Sequence, residues 1–581
     1  MATSGSLITR NYANFLGVDF SNFKVNVYRS PDSKNMWKNY KELGKYIETR
    51  PVEKILEEQL STLITQPIYG LFFLNKNNTT YLVIHAGVSL YSVDMANIGQ
   101  EVVLLQTLKA TGMNPKPSKS FIHNGNLYIK DGINYLKCTG IAVSDVEGFV
   151  PTTTISMKPS GEGTTYQEVN LLTGKRKNSF IGDGTTRLYH LDTQNLTSST
   201  VVAKVNGTVT TALTVNTTNG TVEFYSAPPA PLTDGQDNVE IEFTKTITGY
   251  RDRILKCNIL EVFDNRVFFS GNVDYPSTVF YSGLENPEYC SDLDYSEEGM
   301  DGSLVKSMVA GNNALWVFKE PSQANTTIFY HTPSIDADVG KVYPSTHSNI
   351  SEGCLGTAIN FNDDIVMLGQ NGLEGISGEI GNEQVLGHRS SLVDSKLLKE
   401  ANYKKAIFQE WQGYLLIIID THVYLADTRQ KFANNNSIEY EWYYWEFAKT
   451  ITTTAMLDGN LYLGTQDGKI YKMTPDAPLS TETIASYWTT CKDDIGYLNY
   501  QKITNKKGCV ADIKGAAVTI AVATDNNNFE TIDTFTNTKG YIVPRIKRKK
   551  WKDIQFKFSS NKAFGVNDFS IQCFIGSYVK R

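Results

Sequence analysis

The sequence contains no apolar run of the roughly 18 residues that a membrane-crossing helix needs. Its densest apolar stretch, from Tyr414 to Asp420, has the length of a β-strand, so no stable membrane anchor is expected. Long Leu/Ala/Glu/Lys helical stretches are scarce as well. The seven cysteines (138, 257, 290, 354, 491, 509 and 573) are odd in number and show neither CxxC nor Cys/His spacing. They read as reduced, buried thiols of a protein made in a cytoplasm rather than as a metal or redox site. The seven histidines (85, 123, 190, 331, 347, 388 and 422) never fall in HxH, HxxxH or HExxH spacing. No GxSxG, GxGxxG or phosphate-loop fingerprint occurs either. The expectation is a protein with no catalytic residues, no cofactor and no metal. The opening Met1-Ala2-Thr3-Ser4-Gly5 has neither the basic nor the apolar part of a secretory leader. The net charge of −6 is too modest to name a partner.

What the chain does have is aromatic and β-branched. Aromatics make up 11% of it, 32 of them Tyr, and Thr and Asn are plentiful, a mixture that packs well on pleated surfaces. A short Asn/Asp/Gly turn followed by an apolar-aromatic strand recurs at Asn78, Asn124, Asn265, Asn312, Asn362, Gln412 and Asp458. The steps are 124−78=46, 312−265=47, 362−312=50, 412−362=50 and 458−412=46. Within the units a second turn follows one strand later, as at Ala86-Gly87, Asp131-Gly132, Asn371-Gly372, Thr421-His422 and Asp467-Gly468. Two hairpins plus a connecting strand make a four-stranded blade. The period therefore predicts a β-propeller of about seven blades rather than an ordinary β-sandwich with evenly spaced hairpins.

One step breaks the rhythm, 265−124=141, leaving room for an inserted domain. The chain accordingly divides into an N-terminal arm (1–60), a first propeller part (61–149), an inserted Ig-like β-sandwich (150–247), a second propeller part (248–476) and a C-terminal β-sandwich (477–581). The insertion alternates at Arg187–Leu191, Val201–Val205, Thr221–Tyr225 and Val239–Phe243 between Gly-rich turns. The C-terminal part alternates at Val518–Val522, Ile532–Phe535, Asp553–Phe558 and Ser570–Ile575. Glu53 to Leu63 reads as a short helix at the end of the arm.

Candidate chemistry is sparse. Asp363-Asp364 and the Asp336/Asp338 loop offer paired carboxylates, and Gly182-Asp183-Gly184 reads as a hairpin turn rather than a phosphate cradle. Trp411 and the cluster Tyr440, Trp442, Tyr443, Tyr444, Trp445 and Phe447 could stack on sugars or fill a core. The strongest charge feature is Arg545, Lys547, Arg548, Lys549, Lys550 and Lys552, interrupted by Ile546 and Trp551. Solvated edge-strand cations that block sheet pairing, contact with nucleic-acid phosphates and docking on an acidic partner all suit such a run, and a membrane-surface role suits it less because no amphipathic helix accompanies it.

The N-terminal stretch carries Gly17-Val18, then Ser30-Pro31, Asn35-Met36, Gly44 and Arg50-Pro51. It resembles the opening of bacteriophage tail hub or nozzle proteins, also called packaged-DNA stabilisation or tail accessory proteins. Val52 stands where their pattern usually has its final Gly. Phe180 to Thr186 with Asn206-Gly207 and Ala227-Pro228-Pro229 is similar to small Ig-like virion insertions. The stretch from Arg266 to Asn272, with Tyr275-Pro276 and Tyr281-Ser282-Gly283, also looks like phage structural proteins.

The resemblance implies a structural virion protein of the phage tail, assembled in the host cytoplasm below the portal and adaptor proteins. It further implies a homohexameric ring around the DNA exit channel that retains packaged double-stranded DNA, supports its ejection and carries tail fibre or needle proteins. A tail-tip receptor- or carbohydrate-binding protein is the alternative, and a propeller hydrolase a more distant one.

Overall fold

The computed structural model describes residues 6–21, 24–40, 47–323, 326–337, 340–377, 385–434, 437–475, 483–525, 527–536, 538–547 and 550–578. Seven four-stranded antiparallel sheets occupy 68–109, 119–145, 259–297, 305–347, 358–388, 407–446 and 451–473, the last completed by residues 53–55. Their first strands stand side by side in chain order. The first strand of the last sheet, Ile451–Leu457, packs against that of the first, Ile68–Lys76, so the ring closes. The fold is a β-propeller.

The recurring turn has one geometry throughout. Each joins the first and second strand of a sheet through two residues, as between Lys76 and Thr79 or between Trp411 and Tyr414. Both loop residues have positive φ in every case: Asn77/Asn78 (51° and 62°), Asn124/Gly125 (47° and 66°), Asp264/Asn265 (51° and 58°), Asn312/Asn313 (53° and 59°), Asn362/Asp363 (51° and 61°), Gln412/Gly413 (53° and 74°) and Asp458/Gly459 (49° and 75°). This is the turn whose twist matches that of the strands it joins, and Asn, Asp and Gly tolerate its left-handed backbone best. Four of the seven turns use no Gly at all, because Asn and Asp fill both positions.

The long step holds a two-sheet sandwich. A six-stranded and a three-stranded sheet, spanning Thr152–Met157 to Val239–Thr244, enclose a core that includes Met157, Phe180, Tyr189, Phe224 and Ile241. It leaves the propeller after Val143–Asp145, the fourth strand of the second sheet. It returns through a helix, Tyr250–Leu255, into the third sheet. Arg251 fastens that return by donating to the carbonyls of Leu172 and Val146.

Of residues 1–60, expected as an N-terminal arm, the described strands are shared out between two of the other domains. Leu7–Asn11 pairs with Phe564–Tyr578, Ile47–Thr49 joins the same C-terminal sheet, and Ser33–Lys34 pairs with Ser486–Thr489 in the sheet facing it. The C-terminal sandwich therefore needs strands from both chain ends. Glu53–Ile55, expected to be helical, is the fourth strand of the last propeller sheet, with Lys54 opposite Lys472; the helix begins only at Glu58–Leu63. These strands are two to five residues long, too short to show an alternation of their own.

One core joins the N-terminal segment, the sixth and seventh propeller sheets and the C-terminal sandwich. Trp37 stacks on Trp411 at 5.7 Å with 5° between the rings and meets Trp445 edge-on. The same cluster continues through Trp488, Trp551, Phe556, Phe558 and Phe569 of the C-terminal sandwich. Propeller, N-terminal segment and sandwich are thus packed as one body at this junction.

Candidate functional site

Two places concentrate polar groups that the fold positions tightly: a joint under the N-terminal segment and a basic edge on the C-terminal sandwich. The joint is built from Asn35 and Arg50, both nearly inaccessible. Asn35, held at φ 58°, donates its side-chain amide to the Ala485 carbonyl at 3.0 Å. Its side-chain oxygen accepts from Arg50 Nε at 3.0 Å and from the Glu446 backbone amide at 2.7 Å. The Arg50 guanidinium also reaches the Pro51 and Glu446 carbonyls, pairs with Glu53 and lies over the Phe447 ring. Five donors in a rigid fork suit one Arg to this many acceptors.

The N-terminal segment, the sixth propeller sheet and the C-terminal sandwich are therefore tied at a single point. Gly17 contributes to the same docking, because a Cβ there would lie 2.3 Å from the Trp442 carbonyl oxygen. Arg29 forms a two-pronged pair with Glu441 at 2.9 and 2.5 Å. Arg10 does the same with Asp493 at 2.7 and 3.1 Å, while the Tyr12 hydroxyl donates to Asp493. Gly44 lies outside the described residues.

The basic edge follows from the register of Tyr500–Gly515. Ile503 pairs with Lys550 and Ala511 with Ile542. The two pairings bracket both residues 504–510 on one side and the start of the basic run on the other, so Arg545 and Lys547 enter the edge between them. Ile542, Pro544, Ile546 and Trp551 turn inward, and the Trp551 indole donates to Thr504 Oγ1 at 2.9 Å. Arg545, Lys547, Lys550 and Lys552 are exposed and take part in no ion pair among the described residues. Arg548 and Lys549 lie outside the described residues. Beneath the edge, Lys502 is fully buried, donates to the Tyr497 and Tyr500 carbonyls and faces the Trp551 ring; burial pulls its ammonium below the usual lysine range.

Sequence reading missed Lys506 and Lys507. They lie on Tyr500–Gly515 between the residues paired with Lys550 and those paired with Ile542, and both are exposed without an ion pair among the described residues. Between Thr504 and Cys509 the register against Phe564–Tyr578 shifts. A bulge of this kind pushes its extra residues out of the sheet. Gly508 marks it, since a Cβ at that position would lie 2.7 Å from Gln572 Cβ. The local signal was the sequence Lys-Lys-Gly inside a strand; its partner edge is more than thirty residues away. A cleft of 70 Å³ opens here among Thr504, Thr524, Asn527, Thr531, Arg545 and Lys547, with Glu530 and the Trp551 ring also on its wall.

The other candidates are engaged elsewhere. Asp363 belongs to a hairpin turn, whereas Asp364 is gripped by Arg389 at 2.9 and 3.3 Å and accepts from the Tyr440 hydroxyl. They do not form a carboxylate pair facing a common cleft. Asp336 ends a strand, Ser334–Asp336, rather than lying in a loop, and Asp338 lies outside the described residues. Asp183 accepts from the Thr185 and Thr186 amides and the Thr186 hydroxyl, bonds that hold its carboxyl down at about 2. Trp411, Tyr440, Trp442, Tyr443, Tyr444, Trp445 and Phe447 are all buried and offer no stacking platform. The seven cysteines are buried and unbridged. Among the described residues, no group of three or more His, Cys, Asp or Glu is arranged to hold a metal ion, and no helix is long and apolar enough to cross a membrane.

No protein-family model and no curated protein matches this chain. Among solved structures it is similar to the computationally designed Ika8 protein, with TM-score 0.29 and 12% identity over 70% of this chain and 96% of that one. It is also similar to BamB from Moraxella catarrhalis, with TM-score 0.32 and 8% identity over 73% and 97%. A third likeness is to Kluyveromyces lactis Hsv2p, with TM-score 0.23 and 11% identity over 66% and 98%. All three are weak likenesses, and the fold assignment rests on the sheet topology.

Proposed function

We propose that this protein is a structural component of a bacteriophage tail: a hub or nozzle below the portal and adaptor proteins. Its copies form a ring around the DNA exit channel, retain packaged DNA, and support ejection and the attachment of further tail parts. One observation carries the reading. The residues on which the resemblance to tail hub proteins rests, Gly17, Asn35, Met36 and Arg50, are the ones that lock the N-terminal segment to the propeller and the sandwich. A part that must withstand the pressure of packaged DNA needs its domains fixed relative to one another, and this joint does that. The unpaired cations of the basic edge give the second support, since packaged DNA is a dense polyanion. The closed propeller offers broad faces for head-to-tail contacts that close into a ring.

Negative-stain microscopy tests the assembly. Purified protein, alone or with its adaptor ring, is expected to form sixfold rings; monomers alone in both conditions would refute the nozzle reading. Replacing Lys547, Arg548, Lys549 and Lys550 by Ser is expected to leave folding intact while particles leak DNA or fail to attach their tails. Fully infectious, DNA-filled particles carrying that variant would remove the basic run from the proposal.

A further inference from the structure

We infer that the basic edge of the C-terminal sandwich binds the phosphodiester backbone of nucleic acid, and that Lys506 and Lys507 act in it together with Arg545, Lys547, Lys550 and Lys552. The inference deepens the proposed DNA-facing role of the edge. It selects nucleic acid over an acidic protein as the partner and adds a second strand to the contact set, without depending on ring formation.

The cations are displayed, not loose. Exposed and buried residues alternate strictly from Tyr541 to Lys547, so Tyr541, Val543, Arg545 and Lys547 all point outward while Ile542, Pro544 and Ile546 anchor the segment. Outward side chains on such an extended segment repeat about every 6.6 Å, and a neighbouring strand lies about 4.8 Å away. Lys506 and Lys507, exposed in the bulge between the stretches that pair with Lys550–Trp551 and Thr538–Ile542, add two cations to the same edge. Six exposed cations on one edge, without ion-pair partners among the described residues, run against the protein's overall charge of −6. A continuous polyanion satisfies all of them at once and releases its condensed counterions on doing so. An acidic protein surface presents carboxylates singly, mixed with other groups.

The surroundings fit the same ligand. The cleft beside Arg545 and Lys547 brings the hydroxyls of Thr504, Thr524 and Thr531 next to two cations, with Asn527, whose amide donates to the Thr524 carbonyl at 2.8 Å, also on its wall. That donor set matches the several acceptor oxygens of a phosphate. Glu530 on its wall already has a partner. Tyr541, 74% exposed, stands at the head of the row, and Phe574, 37% exposed, lies opposite Ile503 in the same sheet. Exposed rings beside a cationic track serve as stacking surfaces for bases.

The test uses the full chain with a fluorescently labelled short duplex in two unrelated sequences, and labelled poly-glutamate as the acidic-polypeptide probe, over a salt series. Both duplexes are expected to bind equally, with affinity falling linearly on a log–log plot against salt. Lys506→Ser with Lys507→Ser should flatten that slope by about 1.8, because each phosphate contact contributes about 0.9. Lys404→Ser with Lys405→Ser, exposed on the propeller, should leave it unchanged. Binding of poly-glutamate but not duplex would overturn the choice of partner, and a wild-type slope in the Lys506/Lys507 variant would overturn the part assigned to those two lysines. Ring formation by the same preparations is scored separately by microscopy. Duplex binding without rings counts against the nozzle alone, and rings without duplex binding count against this inference alone.

Discussion

Arg50→Ala is expected to free the N-terminal segment from the body of the protein. Removing the guanidinium takes away five hydrogen bonds, leaves Glu53 without its cation and strips the Asn35 side-chain oxygen of one donor. Breaking a buried ion pair on one side costs about 3–5 kcal/mol, which raises the locally opened population by at least roughly a hundredfold at 1.36 kcal/mol per tenfold. Because Glu53–Ile55 lies three to five residues beyond Arg50 and closes the last propeller sheet, the damage should spread to the ring. Hydrogen exchange checks this: protection should drop at residues 53–55 and at Tyr471–Met473, with faster proteolysis before residue 60. Arg50→Lys should rescue only part, since one ammonium cannot replace a fork of five donors. Wild-type exchange in the alanine variant would show that the joint does not hold the segment.

Glu298→Ala should be comparably severe at the border between the third and fourth sheets. Glu298 follows Tyr295–Glu297 of the third sheet and is fully buried. It accepts from the His331 ring at 2.9 Å and from the Ser296 and Ser345 hydroxyls. The other His331 nitrogen faces only the Tyr343 carbonyl, at 2.9 Å. Both ring nitrogens therefore meet acceptors and both donate, which requires the imidazolium. Nearby, the buried Lys319 donates to the Glu298 carbonyl at 2.5 Å and pairs with Asp301. Truncating Glu298 leaves a buried cation without its counterion, again about 3–5 kcal/mol.

The pair also sets a pH dependence. Although burial opposes its charge, the Glu298 bond and field raise His331 above the ordinary histidine range, and the His331 bond and field overcome burial to hold Glu298 below the carboxylate range. The histidine contribution is fully present below its unfolded value near 6.5 and is lost as pH rises through the raised folded value. The carboxylate contribution is present above its unfolded value near 4.3 and is lost as pH falls through the lowered one. The pair is thus worth most at about pH 4.5–6.5. Thermal melts of the wild type should weaken from pH 6.5 upward, and His331→Gln should flatten that decline; an unchanged decline in the variant would assign it to other groups.

The propeller was legible because its signal is local and repeated. A two-residue turn with two left-handed positions admits little besides Asn, Asp and Gly, so seven such turns leave a readable period even where four lack glycine. The inserted sandwich was legible for the same reason, as an interruption of that period. The basic run was visible as charge, but half of its setting was not. Lys506 and Lys507 join it through a pairing between strands far apart in the chain and a bulge at Gly508. Asn35 and Arg50 were conspicuous only as parts of a resemblance. That they bond each other follows from the Asn35 carbonyl accepting from the Arg50 amide in a two-strand pairing of three residues.

The amino-acid order alone thus fixes the hairpins, their period, the break in it and the cluster of cations, because each depends on residues within a few positions of one another. Which strands complete the sandwich, what closes the propeller and which further lysines share the basic edge depend on contacts between residues tens to hundreds of positions apart. Those pairings are selected by burial of a shared core around Trp37, Trp411, Trp445 and Trp551, a cooperative choice that no local pattern encodes.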